Sequence, residues 1–174
     1  MRRPSQVSRE EGRVPSKGSE SFEAFFDEQH ADLFGALYLI TRNRHEAEEI
    51  MQDAFLNLWE RWEKVSSLAD PVGYLYRTAL NLFRKRWRRA SVALRRSAGL
   101  APRDDEIALI EMRVDVIRAM GPLSPRQRAA IVLTDLLGYS SEEAGSMMGI
   151  APATVRMHAS RGRAALASTL EDHR

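Results

Sequence analysis

The stretch Pro71-Val-Gly-Tyr-Leu-Tyr-Arg-Thr-Ala-Leu-Asn-Leu-Phe-Arg-Lys-Arg-Trp-Arg-Arg89 changes character along its length. It begins as an amphipathic helix and ends as a block of positive charge holding an aromatic ring. Asp70 is placed to cap the helix, and Pro71 suits a first turn, where a missing N–H is no loss. Val72, Leu75, Ala79, Leu82 and Phe83 recur at spacings of three and four, which predicts one buried stripe. Tyr74, Arg77, Asn81, Arg84, Lys85 and Arg88 stand on other faces, with chemistry suited to phosphates, sugars and bases. A helix dipole accounts for one or two cations at a C-terminal end. It does not account for Arg84, Lys85, Arg86, Arg88 and Arg89 without an intervening acid, so the stretch points to nucleic acid.

The rest of the chain extends a helical pattern in both directions. The first residues, 1–20, are rich in Ser, Arg, Gly and Pro and predict a disordered tail. Phe22, Phe25, Phe26, Leu33, Leu37 and Ile40 then fall on one side of a 3.6-residue repeat. Asn43 is a cap for a second helix, with Glu46 completing a capping-box pattern. The stripe of that helix runs Ala47, Ile50, Met51, Ala54, Phe55, Leu58, Trp59 and Trp62, followed by a loop from Lys64 to Ala69. Periodicity fades after Arg89, and residues 91–105 read as a flexible linker whose start can still be helical. A short helix from Glu106 to Met120 stops at Gly121-Pro122. Ser124-Pro-Arg-Gln127 and Ser140-Ser-Glu-Glu143 are two further capped starts, and Pro152 opens a last helix to about Leu170. No segment alternates as a strand does. The fold expected is all-α: two small helical domains, 21–90 and 106–174.

Composition narrows the classes of function. The 174 residues carry 26 Lys+Arg against 24 Asp+Glu, but the charge is segregated. Acids gather at Glu46, Glu48, Glu49 and Asp53 and from Asp104 to Glu111; bases gather from Arg84 to Arg96 and at Arg156, Arg161 and Arg163. Such segregation predicts separate partners for separate faces. With no cysteine, disulfides, zinc knuckles and thiol nucleophiles are excluded. No apolar run approaches the ~20 residues that span a bilayer. The N-terminal arginines have no apolar segment behind them, which argues against a secretory signal and for a cytoplasmic protein without membrane insertion. His30, His45, His158 and His173 are scattered, and no glycine-rich phosphate loop follows a strand. Neither an enzyme, a metal site nor a cofactor is expected.

Toward the C-terminus a capped helix, a turn at Gly149 and a helix starting at Pro152 form a helix-turn-helix pattern. In that motif the second helix enters the major groove. Ala144, Met148, Ile150 and Val155 are placed to lock the helices together. Thr154, Arg156, Met157, His158, Ser160, Arg161 and Arg163 remain outside the packed stripe, and Arg suits guanine edges while Thr or Met meets a thymine methyl. An ordinary helical hairpin shares this spacing; the second nucleic-acid signal upstream favours DNA.

At this point the residues resemble the extracytoplasmic-function sigma factors of bacterial RNA polymerase. Phe25 to Arg89 resembles sigma region 2, through Glu46-Ala-Glu-Glu-Ile-Met-Gln-Asp-Ala-Phe-Leu-Asn-Leu-Trp59 and the Pro71–Arg89 stretch. Met120 to Leu170 resembles region 4, through Leu123-Ser-Pro-Arg-Gln-Arg128, Gly138-Tyr-Ser-Ser-Glu-Glu-Ala144 and Gly149-Ile-Ala-Pro-Ala-Thr-Val-Arg156. The resemblance implies a factor that binds core polymerase and directs transcription initiation in response to a stress or envelope signal. It implies that Glu48, Glu49, Gln52 and Asp53 dock on the polymerase clamp helices. It places Ser66, Ser67, Asp70, Tyr74, Arg77, Asn81, Arg84, Lys85 and Arg88 at the promoter −10 element, where a flipped base must be held by stacking and edge contacts. Tyr76 and Trp87 are further stacking candidates, with a core role expected for at least one of the three aromatic rings. It places Thr154, Arg156, Met157, His158, Ser160 and Arg161 at the −35 element, and sets the apolar and Arg126/Arg128 surfaces against the polymerase flap. An anti-sigma partner is a further implication.

The chain departs from the pattern at Ala151, where a Ser cap is frequent, and at Leu80, where a basic residue is frequent. His158 and Ser160 stand where Arg and His are frequent, and Gly162 is expected to weaken the last helix by about 1 kcal/mol. Two other readings share parts of the pattern. One is a regulator that binds duplex DNA without polymerase, its N-terminal bundle dimerising or sensing a ligand. The other is an adaptor that binds polymerase and no DNA, which leaves the basic helix unexplained.

Overall fold

In the computed structural model, which describes residues 17–96 and 114–171, the caps foreseen in the sequence set the helix starts. The Asn43 side chain accepts the Glu46 N–H at 2.9 Å, opening α2 (Arg44–Trp59) behind α1 (Lys17–Thr41). The capping box expected there is only half-formed, since the Asn43 N–H donates to Thr41 Oγ1 at 3.2 Å. Asp70 accepts the Gly73 N–H at 2.7 Å and opens α4 (Pro71–Arg96). Ser124 with Gln127 and Ser140 with Glu143 form complete capping boxes at α6 (Pro125–Ile131) and α7 (Ser141–Met148). A one-turn α3 (Trp62–Val65) and α5 (Val114–Ala119) precede α4 and α6, and α6 runs on into a π-helical stretch, Val132–Leu136. Gly149, in the left-handed region at φ 65°, ends α7, and α8 (Pro152–Glu171) follows. Among the described residues no strand is present and no helix is long and apolar enough to cross a membrane.

Several boundaries differ from those expected. Residues 17–20, expected in the tail, are helical, since extending a helix nucleated by the docked Phe22–Phe26 turns needs little further free energy. The rest of the expected tail, 1–16, lies outside the described residues, as do 97–105 of the expected linker and 106–113 of the expected short helix. Residues 91–96 of the expected linker belong to α4. Trp62 is buried but belongs to α3, because α2 stops at Trp59 and the chain turns before Trp62. Trp59 itself stays largely exposed, with its ring 4.9 Å from that of Phe22.

The two helical modules share a face. Leu33, Leu37, Ile50, Leu58 and Leu75 of the first join Leu133, Met147, Met148 and Val155 of the second in one continuous core. The join is polar as well as apolar. Buried Arg128 donates through Nε to the Ile40 carbonyl at 2.7 Å and through Nη1 to the Leu123 carbonyl. The last turn of α1 has no basic residue of its own, so Arg128 supplies the cation that its exposed carbonyls favour. The expectation that Arg128 faces the flap therefore needs correction: it is an internal strut, 7% exposed. Arg42, at φ 56°, brings its guanidinium against Gly121 from the other side of the join.

Leu80 and Tyr76, expected off the apolar stripe, are 4% exposed, and the Tyr76 ring lies 6.1 Å from that of Tyr139. The buried surface of α4 is therefore wider than one stripe, since one side meets α2 and another meets α7. A hydrophobic residue at position 80 fits this second face, which a lysine or arginine would have to leave.

Candidate polymerase and nucleic-acid interfaces

The acidic residues of α2 form a flank rather than a free face. Glu48 pairs with Arg44 at 2.9 Å, one turn back on the same helix. Glu49 and Asp53 both accept from Arg86 of α4, the first through Nη1 and the second through Nη2 at 2.7 Å. His45 lies 3.4 Å from the other Glu49 oxygen. Gln52 is exposed. Glu46, half-buried beside them, has its carboxyl pushed up chiefly by burial and by the Glu49 charge, against the lowering effect of Arg86 and Arg128. Only one oxygen of each of Glu49 and Asp53 is engaged by Arg86, and both carboxylates remain about 45% exposed.

Between α3 and α4 the residues nominated for a flipped base are solvent-facing. The Ser66 and Ser67 hydroxyls donate back to the Glu63 and Lys64 carbonyls at 3.2 and 2.8 Å, which holds the turn. Asp70 spends one carboxylate oxygen on its cap. A Cβ at position 73 would collide with that carboxylate, so the glycine is what lets Asp70 close over the helix start. Tyr74 is half-buried, while Arg77, Asn81, Lys85 and Arg88 are exposed along one side of α4.

Two arginines of the basic block turn inward instead. Arg84 donates to the Met148 carbonyl at 3.0 Å and to Asn81 Oδ1 at 2.9 Å, bracing the turn of the helix-turn-helix. Arg86 is held by the acids of α2. Trp87, 38% exposed, has the Arg126 guanidinium 5.6 Å from its ring centre. Leu80, Phe83, Arg84, Trp87 and Ile150 help line a cavity of about 410 Å³ where the modules meet.

On α8, which packs on both α6 and α7, Val155 and Ala159 are buried, while Arg156, Met157, Ser160 and Arg161 project outward and Thr154 and His158 are half-buried. Gly145 permits this close crossing, since a Cβ there would meet the Ile150 carbonyl at 2.8 Å. Arg156 makes a loose contact with Glu142 at 3.3 Å, and Arg163 pairs with Asp135 at 3.0 Å. The His158 imidazole is pushed below its ordinary value by burial, then by the charges of Arg126 and Arg161. The structure thus gathers the −35 candidates on one helix face. It separates the −10 candidates into an exposed row, a half-buried Tyr74, and Arg84, which the other module engages.

Sequence reasoning passed over Arg86 as a site residue. The signal was present: Leu75, Ala79, Leu82 and Arg86 continue one stripe at spacings of four, three and four, so Arg86 had to face α2.

The Sigma-70 region 2 family matches residues 25–92 and the Sigma-70, region 4 family matches residues 113–166. The ECF RNA polymerase sigma factor SigM of Mycobacterium tuberculosis is 31% identical over 151 residues, covering 86% of this chain and 77% of that protein. SigE of Mycolicibacterium smegmatis is 33% identical over 155 residues; the match takes in 83% of this chain and 60% of the relative's length. In fold the chain is similar to the sigma factor RpoE crystallised with the anti-sigma factor NepR from Bartonella quintana, with TM-score 0.76, 23% identity, 89% of this chain and 99% of that one. The chain belongs to the sigma-70 family, among the ECF RNA polymerase sigma factors. It is a transcription initiation factor and not an enzyme.

Proposed function

We propose that the acidic flank of α2, with Glu48, Glu49, Gln52 and Asp53, docks on the clamp helices of core RNA polymerase in the cytoplasm, while α4 and α8 hold promoter DNA. Ser66, Ser67, Asp70 and Tyr74 frame the −10 base, and Arg77, Asn81, Arg84, Lys85 and Arg88 hold the adjoining strand. Thr154, Arg156, Met157, His158, Ser160 and Arg161 read the −35 element in the major groove. One observation carries this reading: the acidic flank and the two cationic faces lie on different helices, so one chain can meet a basic protein and a polyanion together. An anti-sigma factor regulates the chain in response to a stress or envelope signal; the bound partners of the similar structures, NepR for RpoE and CnrY for CnrH, motivate that assignment.

Binding of fluorescent chain to purified core polymerase tests the docking surface. Asp53→Lys is expected to weaken it at least tenfold, since a like charge then faces a basic partner. Glu23→Lys, an exposed acid elsewhere, is expected to change it less than twofold. Equal effects of the two would remove α2 as the docking face.

A further inference from the structure

Arg86 stands between the face that meets polymerase and the helix that meets nucleic acid. Its fork reaches across from α4 to one carboxylate on each of two successive turns of α2, Glu49 and Asp53. Burial alone would ease the proton off this guanidinium, and the two carboxylates more than reverse that, so the group is firmly a cation. Its side chain is still 31% exposed, at the edge of the α2–α4 contact rather than within the core. On either side along α4, Lys85, Arg88 and Arg89 are exposed. The basic block, with Arg84 already bonded to Met148, is therefore short of a second cation as long as α2 holds Arg86.

We propose that Arg86 couples the two sites: the acids of α2 hold it in the free chain, and a cationic partner that takes those acids releases it to a phosphate of the bound strand. The idea rests on the functional reading above and adds a specific residue to it. A basic partner group approaching Glu49 or Asp53 competes with Arg86 for the same carboxylates, because a carboxylate shared between two cations holds each less tightly. The released guanidinium needs only side-chain rotation to join the row beside Lys85 and Arg89. Linkage then runs both ways, so nucleic acid on α4 strengthens partner binding on α2 by the factor by which the partner strengthens nucleic acid. Arg86 is a positioning residue for the acids in one state and a phosphate contact in the other.

The test needs no polymerase. Full-length chain is titrated onto a labelled single-stranded dT20 oligonucleotide by anisotropy across a salt series. Glu49→Gln with Asp53→Asn stands in for the partner by removing the charges that hold Arg86. One added phosphate contact steepens the slope of log K against log salt by about 0.7, and tightens binding about fivefold at 0.1 M salt. The same pair of changes made together with Arg86→Gln is expected to leave the slope unchanged. So is Glu23→Gln, which removes an exposed acid elsewhere and leaves Arg86 paired. Arg86→Lys keeps the charge yet cannot bridge both acids, and is expected to bind at least as tightly as the parent. An equal gain in the Arg86→Gln background, or no binding by any variant, overturns the proposal. A slope change confined to chains with Arg86 supports it. Core-polymerase binding by the parent is read separately: its failure removes the functional reading, whereas a null salt result with polymerase binding intact removes the coupling alone.

Discussion

Gly149 serves two demands at once. Its φ of 65° closes α7, and the space a side chain would fill is taken by the Arg84 guanidinium on its way to the Met148 carbonyl. Gly149→Ala must adopt the left-handed region and displace Arg84, and the first of these alone costs about 1–2 kcal/mol. Urea unfolding is expected to show a loss of at least that size. His158 gives a pH signature. The folded imidazole titrates below its ordinary 6.5 because burial, Arg126 and Arg161 all disfavour its charge. Between those two values the unfolded chain binds more protons, so the contribution is complete above pH 6.5 and is lost as pH falls through the folded value. Thermal melts from pH 8 to 5 are expected to fall less steeply below 6.5 for His158→Gln than for the parent.

Among the elements, α8 shows where propensity misleads. Gly162 reads as a weak point in a helix, and replacing it with alanine should then gain about 1 kcal/mol. In the folded chain α8 crosses so near α6 that a Cβ at 162 would lie 2.5 Å from Ile131 Cδ1 and 3.4 Å from Leu123 Cδ2. Overpacking of this kind costs about 1–3 kcal/mol, so Gly162→Ala is expected to be neutral or destabilising by up to about 2 kcal/mol, measured by chemical denaturation. A clear gain would place α8 further from α6. The same contrast explains what could be read from the chain beforehand. Caps at Asn43, Ser124 and Ser140, the Gly149 turn and the α2 stripe are local signals, each decided within a few residues, and they were legible. Leu80, Tyr76, Arg84, Arg128 and Gly162 answer to partners 60 to 90 positions away or on another helix, so nothing near them in sequence announced their roles. The exposed rows on α4 and α8 were legible as charge, and the spacing of Arg86 from Leu82 carried its turn toward α2; that Arg84 turns inward to Met148 was not legible.

For the molecule as a whole, the packed arrangement bears on how two promoter elements are reached. A compact body of the 138 described residues is about 37 Å across, from a radius of gyration of about 14 Å. Elements at −10 and −35 are about 25 base pairs, roughly 85 Å, apart along a duplex. The modules must therefore part for both to be engaged, which breaks the Arg84–Met148 bond and exposes Leu80 and Tyr76. Because the chain has no cysteine, dyes on cysteines introduced at exposed Glu28 and Ala164, away from the proposed DNA contacts, report the separation directly. Energy transfer is expected to be high in the free chain. It should drop on addition of core polymerase with promoter DNA, and be reduced already in free Leu80→Lys, where a charge enters the α4–α7 face.

Transcription from a library of randomised upstream sequences, with purified core polymerase and this chain, tests the central claim most directly. The account predicts transcripts that depend on the chain, with two sequence blocks enriched at a fixed spacing upstream of their starts. Arg156→Ala and Arg161→Ala should erase the distal block while leaving the proximal one. Transcripts that ignore the chain, or an enriched proximal block that survives loss of Asn81 and Lys85 together, would contradict it.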